Sequence, residues 1–576
     1  MNDEEKNMII SNEYADLLID NSDDISIFRV FPNVSINKID ANYAVVHIPV
    51  SNMTPDSIYR FNYSAIPSCF GLMSYPSFLP SPSLDSYEIT QFDDKSDSEL
   101  SGQGVLVGFV DTGIDYMNQV FKHEGNSSRI ISIWDQTIDS EKNYPDNFYY
   151  GTEFVQEQIN LALQSDNPLD IVASTDDIGH GTMMAGIAAG FQVEEDGYIG
   201  VAPDAEFVIV KLKPAKPYLK EFFLIPEEAV CYQENDIMFG VNYLLKVARK
   251  LKRPIAICIG VGSSQGAHGG RGKSSAYLNF VGSKVGTAIV VAAGNEGNLG
   301  HHFYGEIKSS VGYENVELNI GENEKGFTLE FWGNAPNTFV MDLFAPNGEY
   351  VSRIPPFVER IKTIQISYQE TTILVDNQTQ EQVTGDQLII FRFQNPMAGV
   401  WLFQVYGTGD LTSKFHIWLP IEEFITKDTF FLNPNPYTTI TAPGNVSIPI
   451  TITAYNHINQ SLYDYASLGY TVINVVKPDL AAPGVNLYCP TFGNQFVRSS
   501  GSSLAAAYTT GVVAMLLEWG IIRENLIPMN GIVVKRILVN GAKRDTQITY
   551  PNQEVGYGIL DISSTLNLDM WSMSKD

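Results

Sequence analysis

Three residues of this chain, taken together, have the chemistry to attack an acyl carbon. Ser503 stands in the small-residue run Ser499-Ser500-Gly501-Ser502-Ser503-Leu504-Ala505, where an apolar helical pattern begins. A hydroxyl at neutral pH is a poor nucleophile. It needs an imidazole to take its proton and a carboxylate to hold that imidazole in the correct tautomer. His180, in Gly179-His180-Gly181-Thr182, is the candidate base, and Asp111, in Val110-Asp111-Thr112-Gly113, is its candidate orienter. Acyl transfer also calls for donors aimed at the developing oxyanion. Asn295, in Ala293-Gly294-Asn295-Glu296-Gly297, can offer a side-chain amide, and the backbone N–H of Ser503 at a helix start can offer a second donor.

Each piece has a plain alternative. Asp111-Thr112-Gly113 could be a turn, or one half of a paired-carboxylate site, but no second Asp-Thr/Ser-Gly occurs in the chain. His180 between glycines could be a surface histidine near a helix end. Ser502 and Ser503 could be helix caps, and Asn295 a turn residue. Four such coincidences in the chain order Asp, His, Ser are less economical than one site, because that order separates this arrangement from two other known orders of the same triad.

The surrounding pattern says what positions these residues. From residue 104 the chain reads as buried parallel strands joined by helices: strands over 105–110, 207–211, 255–259 and 288–293, with helices over 182–189 and 234–252. Functional groups in an open α/β sheet lie at the carboxyl ends of strands, where Asp111 and Asn295 fall. The rhythm breaks over residues 304–424, where short aromatic and β-branched runs (327–332, 338–344, 388–393, 400–405) alternate with Asn-Gly, Pro and Gly turns. That pattern predicts an inserted antiparallel sandwich of roughly one hundred residues. Its histidine, His416, sits in an alternating run and is expected to face outward, so the insertion is expected to contribute no catalytic group. The α/β pattern resumes over 425–576. Residues 1–79 read as a small α+β unit, with a strand over 43–49 and a helix over 55–65. The Pro-, Ser- and Asp-rich stretch 80–101 reads as an exposed linker open to proteolysis.

Composition excludes several classes of function. With 66 acidic against 36 basic residues the net charge is −30, which argues against a nucleic-acid partner. The acidic amino terminus lacks the apolar core of a secretory signal, and no uninterrupted apolar stretch reaches the ~18 residues of a membrane span. The expectation is a soluble, unexported protein. Cys69, Cys231, Cys258 and Cys489 are scattered without metal spacing and read as free thiols.

Val110-Asp-Thr-Gly-Ile-Asp115, Gly179-His-Gly-Thr182, Ala293-Gly-Asn-Glu-Gly297, Lys477-Pro-Asp-Leu-Ala-Ala-Pro-Gly484 and Gly501-Ser-Ser-Leu-Ala505 resemble the sequence blocks of the subtilase (subtilisin-like) family of serine proteases, over residues 104–562. The resemblance implies an endopeptidase acting on protein or peptide substrates, of doubly wound α/β fold, with an amino-terminal prodomain that the enzyme itself removes. It assigns Asp111 as orienter, His180 as base, Ser503 as nucleophile and Asn295 as oxyanion donor, and puts Gly260-Val261-Gly262 along the substrate-binding edge. It requires no cofactor for the chemistry, while leaving a structural Ca²⁺ open. The combination of prodomain, jelly-roll insertion and missing signal is similar to the clostridial Csp-type germination proteases, which implies a cytoplasmic or spore-associated protein that activates a zymogen. The rival is a pseudoprotease acting as sensor or scaffold, as in some relatives of that branch. Where the family usually has Thr, then Pro-His, this chain has Ser502, then Ala507 and Tyr508.

Overall fold

Successive residues of the strand Leu106–Asp111 enter two different cores, and this alternation builds the fold around the site. Val107 and Phe109 pack with the helices His180–Ala189 and Ser502–Leu517, while Leu106 and Val110 pack with Glu234–Leu251. Both faces of the sheet are therefore covered, which explains its unbroken apolar runs. The computed structural model describes residues 3–21, 33–54, 57–73, 99–140, 143–193, 196–308, 312–357, 361–366, 370–408 and 411–568.

The central sheet has eight strands, in the spatial order Leu480–Pro483, Ile450–Tyr455, Thr287–Ala292, Ile255–Ile259, Leu106–Asp111, Glu206–Lys211, Ile130–Asp135 and Thr152–Val155. All neighbours are parallel except the last pair. This is the doubly wound, mostly parallel α/β architecture expected from the sequence. The helix that begins at Ser502 runs on through a looser turn to Ile522. It is the one helix among the described residues long and apolar enough to cross a membrane, and 83% of its most apolar window is buried inside the fold. Its apolar character is that of a core helix packed under the sheet.

Between the strands Thr287–Ala292 and Ile450–Tyr455 the chain forms two antiparallel sheets, of six and five strands, whose strands run from His302–Ile307 to Phe430–Phe431. Inward residues such as Phe327, Leu329, Phe331, Phe391, Trp401 and Phe403 make a core of their own. The stretch extends beyond the expected 304–424 at both ends. His416 corrects the outward reading: it faces away from the sandwich core, but that face is covered by the rest of the molecule. It is 8% exposed, hydrogen-bonded to His302 at 2.9 Å and stacked against Trp418. Burial, then the nearby His268, pushes its pKa down to about 3.

Ahead of the α/β unit, Tyr14–Asp20, Tyr43–Pro49 and Ser35–Lys38 pair as a three-stranded antiparallel sheet beside the helix Asp3–Ile10. The helix expected over 55–65 is shorter. It spans Ser57–Phe61 and is followed by a 3₁₀ turn Tyr63–Ala65, because Asn62 between them takes a left-handed φ of 68°. This unit is fastened to the α/β sheet through a fully buried carboxylate. Asp16 accepts from Lys216 Nζ at 2.7 Å, His47 Nδ1 at 2.7 Å and Gln233 Nε2 at 2.9 Å. Burial opposes its charge, but Lys216 and His47 outweigh that and hold it well below the usual carboxylate range. All four cysteines are buried free thiols. Of the linker 80–101, residues 80–98 lie outside the described residues.

Candidate active site

Asp111 closes a central strand at its carboxyl end, and His180 is the first residue of the helix that faces it. The two elements can meet because Gly181 has no side chain: a Cβ there would lie 2.2 Å from the carbonyl oxygen of Gly113. Thr112 Oγ1 accepts from the N–H of Gly181 at 2.8 Å and ties the Asp-Thr-Gly turn to the helix start. Asp176, which the sequence reading passed over, caps that helix. Its carboxylate accepts from the N–H groups of Gly179 at 2.8 Å and Thr182 at 2.9 Å, and from the Thr182 hydroxyl at 2.7 Å.

His180 Nδ1 donates to Asp111 Oδ1 at 2.6 Å, and Ser503 Oγ lies 3.0 Å from His180 Nε2. A carboxylate only accepts, so Nδ1 carries the proton and Nε2 is left to accept from the serine. All three side chains are buried. Burial disfavours charge on the imidazole, but the charge and hydrogen bond of Asp111, with contributions from Asp176 and Glu423, outweigh it and raise its pKa above the ordinary value. The ring is thus a stronger base than a free histidine, and its protonated form is stabilised as the serine loses its proton.

Asn295 follows the strand Thr287–Ala292 and is oriented at both ends of its amide. Its Oδ1 accepts from the N–H of Ser502 at 3.1 Å, and its Nδ2 donates to the carbonyl oxygen of Met73. The hydroxyl of Ser502 accepts from the N–H of Gly294 at 3.1 Å. Ala507 and Tyr508 are buried within the helix that carries Ser503.

Met73 ends a described stretch of the amino-terminal unit that lies along the cleft as a strand. Cys69–Leu72 sits between two edges, pairing antiparallel with Tyr232–Gln233 on one side and with Val261–Gly262 on the other. The N–H of Met73 donates to the carbonyl of Gly260 at 3.2 Å. The three residues expected to border the substrate therefore do pair with an extended peptide. The side chain of Met73 lies against the face of Gly262, where a Cβ would come 2.8 Å from its sulfur, with the Thr441 hydroxyl 3.8 Å away. Thr441 was not singled out in the sequence. Among the described residues no group of three or more His, Cys, Asp or Glu side chains is placed to hold a metal ion.

With this geometry in hand, the comparisons with known proteins decide the family. The profile of the subtilase family matches residues 102–320 and 427–558, more than half of the chain. This chain belongs to the subtilase family. The solved structure of the CspB protease of Clostridium perfringens is 30% identical and superimposes with a TM-score of 0.72 over 81% of this chain and 94% of that one, which supports the Csp-like branch. The C5a peptidase of Streptococcus pyogenes is 26% identical over 164 residues, 27% of this chain and 14% of that protein. The PII-type proteinase of Lacticaseibacillus paracasei is 21% identical over 466 residues, 73% of this chain and 23% of its own length. The chain thus spans less than a quarter of these curated relatives. The match is interrupted over residues 321–426, inside the antiparallel sheets, of which it still covers the strands His302–Ile307, Tyr313–Ile320 and Phe430–Phe431.

If Asn295 donates to the oxyanion, exchanging it for Ala in this subtilase is expected to lower turnover roughly a hundred- to a thousandfold, the loss that follows removal of one such donor. Steady-state kinetics on a peptide substrate check this, and wild-type turnover would remove Asn295 from that role.

Proposed function

We propose that this chain is a serine endopeptidase in which Ser503 attacks the scissile carbonyl, His180 takes and returns the proton, Asp111 orients the imidazole, and Asn295 with the backbone N–H of Ser503 binds the oxyanion. The observation that carries the reading is that a backbone carbonyl, that of Met73, already receives the Asn295 amide beside a hydrogen-bonded Asp111–His180–Ser503 set. In peptide hydrolysis the serine oxygen bonds to the carbonyl carbon, the leaving nitrogen takes the proton from His180, and water repeats the sequence to free the acid.

On the same grounds residues 1–73 act as a prodomain cut by its own catalytic unit. The bond we propose is Met73–Ser74, amino-terminal to the 80–101 linker where composition alone pointed. Cleavage within one chain is geometrically open. Ser503 lies in the first turn of the core helix, and Glu518 follows its last regular α-helical residue, Leu517, roughly 22 Å away at 1.5 Å per residue. There the Glu518 carboxylate accepts from the N–H groups of Ser101, Gly102 and Gln103. The intervening residues could span roughly 90 Å if extended, several times that distance.

The released segment is expected to stay bound through its strand pairing and the Asp16–Lys216 pair, leaving the cleft filled. Replacing Asp16 with Ala strands Lys216 in the interior and should weaken that hold by roughly 3–5 kcal/mol. After self-cleavage, a fluorophosphonate probe should label Ser503 faster in Asp16→Ala than in wild type, as followed by mass spectrometry. Equal rates would mean the segment is not held there. Peptide hydrolysis without any adduct at Ser503 would sink the catalytic assignment. The narrower role, activation of a protein zymogen in spore germination by a cytoplasmic or spore-associated enzyme, rests on the likeness to the Csp-type branch.

A further inference from the structure

Gly71, two residues before the Met73 carbonyl, is pressed from above by the end of the antiparallel insertion. A Cβ on Gly71 would lie 2.6 Å from Ile421 Cδ1 and 2.8 Å from Glu423 Oε2. The backbone of Gly71 is not in the left-handed region, so an alanine there would meet a steric wall and no backbone strain. The wall is fixed. Ile421 is 1% exposed and packs in the main core, and Phe424 beside it is buried. The N–H of Glu422 donates at 3.1 Å to Glu296, which also receives His301 at 2.7 Å, so the segment is fastened to the loop that carries Asn295. Glu423 in turn accepts from the N–H of Leu72 at 3.3 Å and thereby grips the peptide backbone next to the glycine.

We infer that Ile421 and Glu423 form a subsite that favours glycine at the third residue before the cut bond, so that the inserted sheets select substrate. This rests on the reading that residues 69–73 lie in the cleft as substrate does. The class of protein substrate it assigns is an extended segment in which glycine stands two residues ahead of a residue like Met73 that fits against Gly262 and Thr441. A tetrahedral Cβ at that point would have to push a packed isoleucine or break the Glu423 contact, and either lowers occupancy of the reactive geometry.

The test uses the full chain and its own cleavage. Intact-mass time courses of Gly71→Ala should show the 1–73 fragment forming roughly ten- to a hundredfold more slowly than in wild type. Adding Ile421→Ala to Gly71→Ala removes the nearer wall atom and should recover roughly tenfold of that loss, which a misfolded or merely destabilised strand would not do. Processing of Gly71→Ala at the wild-type rate, or no recovery in the double variant, overturns the subsite. A wild-type chain that never cleaves itself instead overturns the prodomain reading, and the subsite with it.

Discussion

Ser503→Ala should lose about a millionfold in turnover while keeping its fold, because the remaining donors still bind a carbonyl but nothing attacks it. The side chain is fully buried at the start of the core helix, as are its neighbours Ser502 and Leu504. Removing one oxygen leaves no charge unpaired. The melting transition should therefore match wild type, and undiminished hydrolysis by the purified variant would refute the assignment.

Asp111→Asn is expected to cost about ten-thousandfold, through the tautomer and with little change of shape. The Asn amide can donate to Nδ1, which moves the ring proton to Nε2 and turns it toward Ser503, where it can no longer accept. The pH profile carries a second signature. Asp111 helps hold the His180 pKa above its ordinary 6.5, and the base works only when neutral. Wild-type kcat/KM should thus fall on acidification with a midpoint above that value, and the residual activity of Asp111→Asn should titrate at a lower pH. A variant that retains both rate and midpoint would mean the carboxylate does not act through the imidazole.

The grouping of Asp111, His180 and Ser503 and the sheet were legible because each of these residues sits at a strand end or helix start marked by glycines and apolar runs. The strand Ile255–Ile259 falls where a continuous apolar pentad puts it, and the helix layer on one face of the sheet follows from the small-residue stretches after His180 and Ser503. What stayed hidden depends on partners far away in the chain. Met73 reaches the Asn295 amide only through a three-stranded pairing of segments separated by some two hundred residues, which no local pattern reports. His416 alternates as an outward residue should, yet the face it points from is covered. Ile421 and Glu423 follow the last long strand of the insertion and look like an ordinary loop until the peptide they overhang is in place.

The self-cleavage account meets its most direct test in intact-mass spectrometry of wild type and Ser503→Ala expressed side by side. The account predicts two wild-type species, residues 1–73 and 74–576, co-purifying as one particle, and a single full-length chain for Ser503→Ala. Both proteins remaining full length while the wild type hydrolyses peptides, or both being clipped alike, would contradict it.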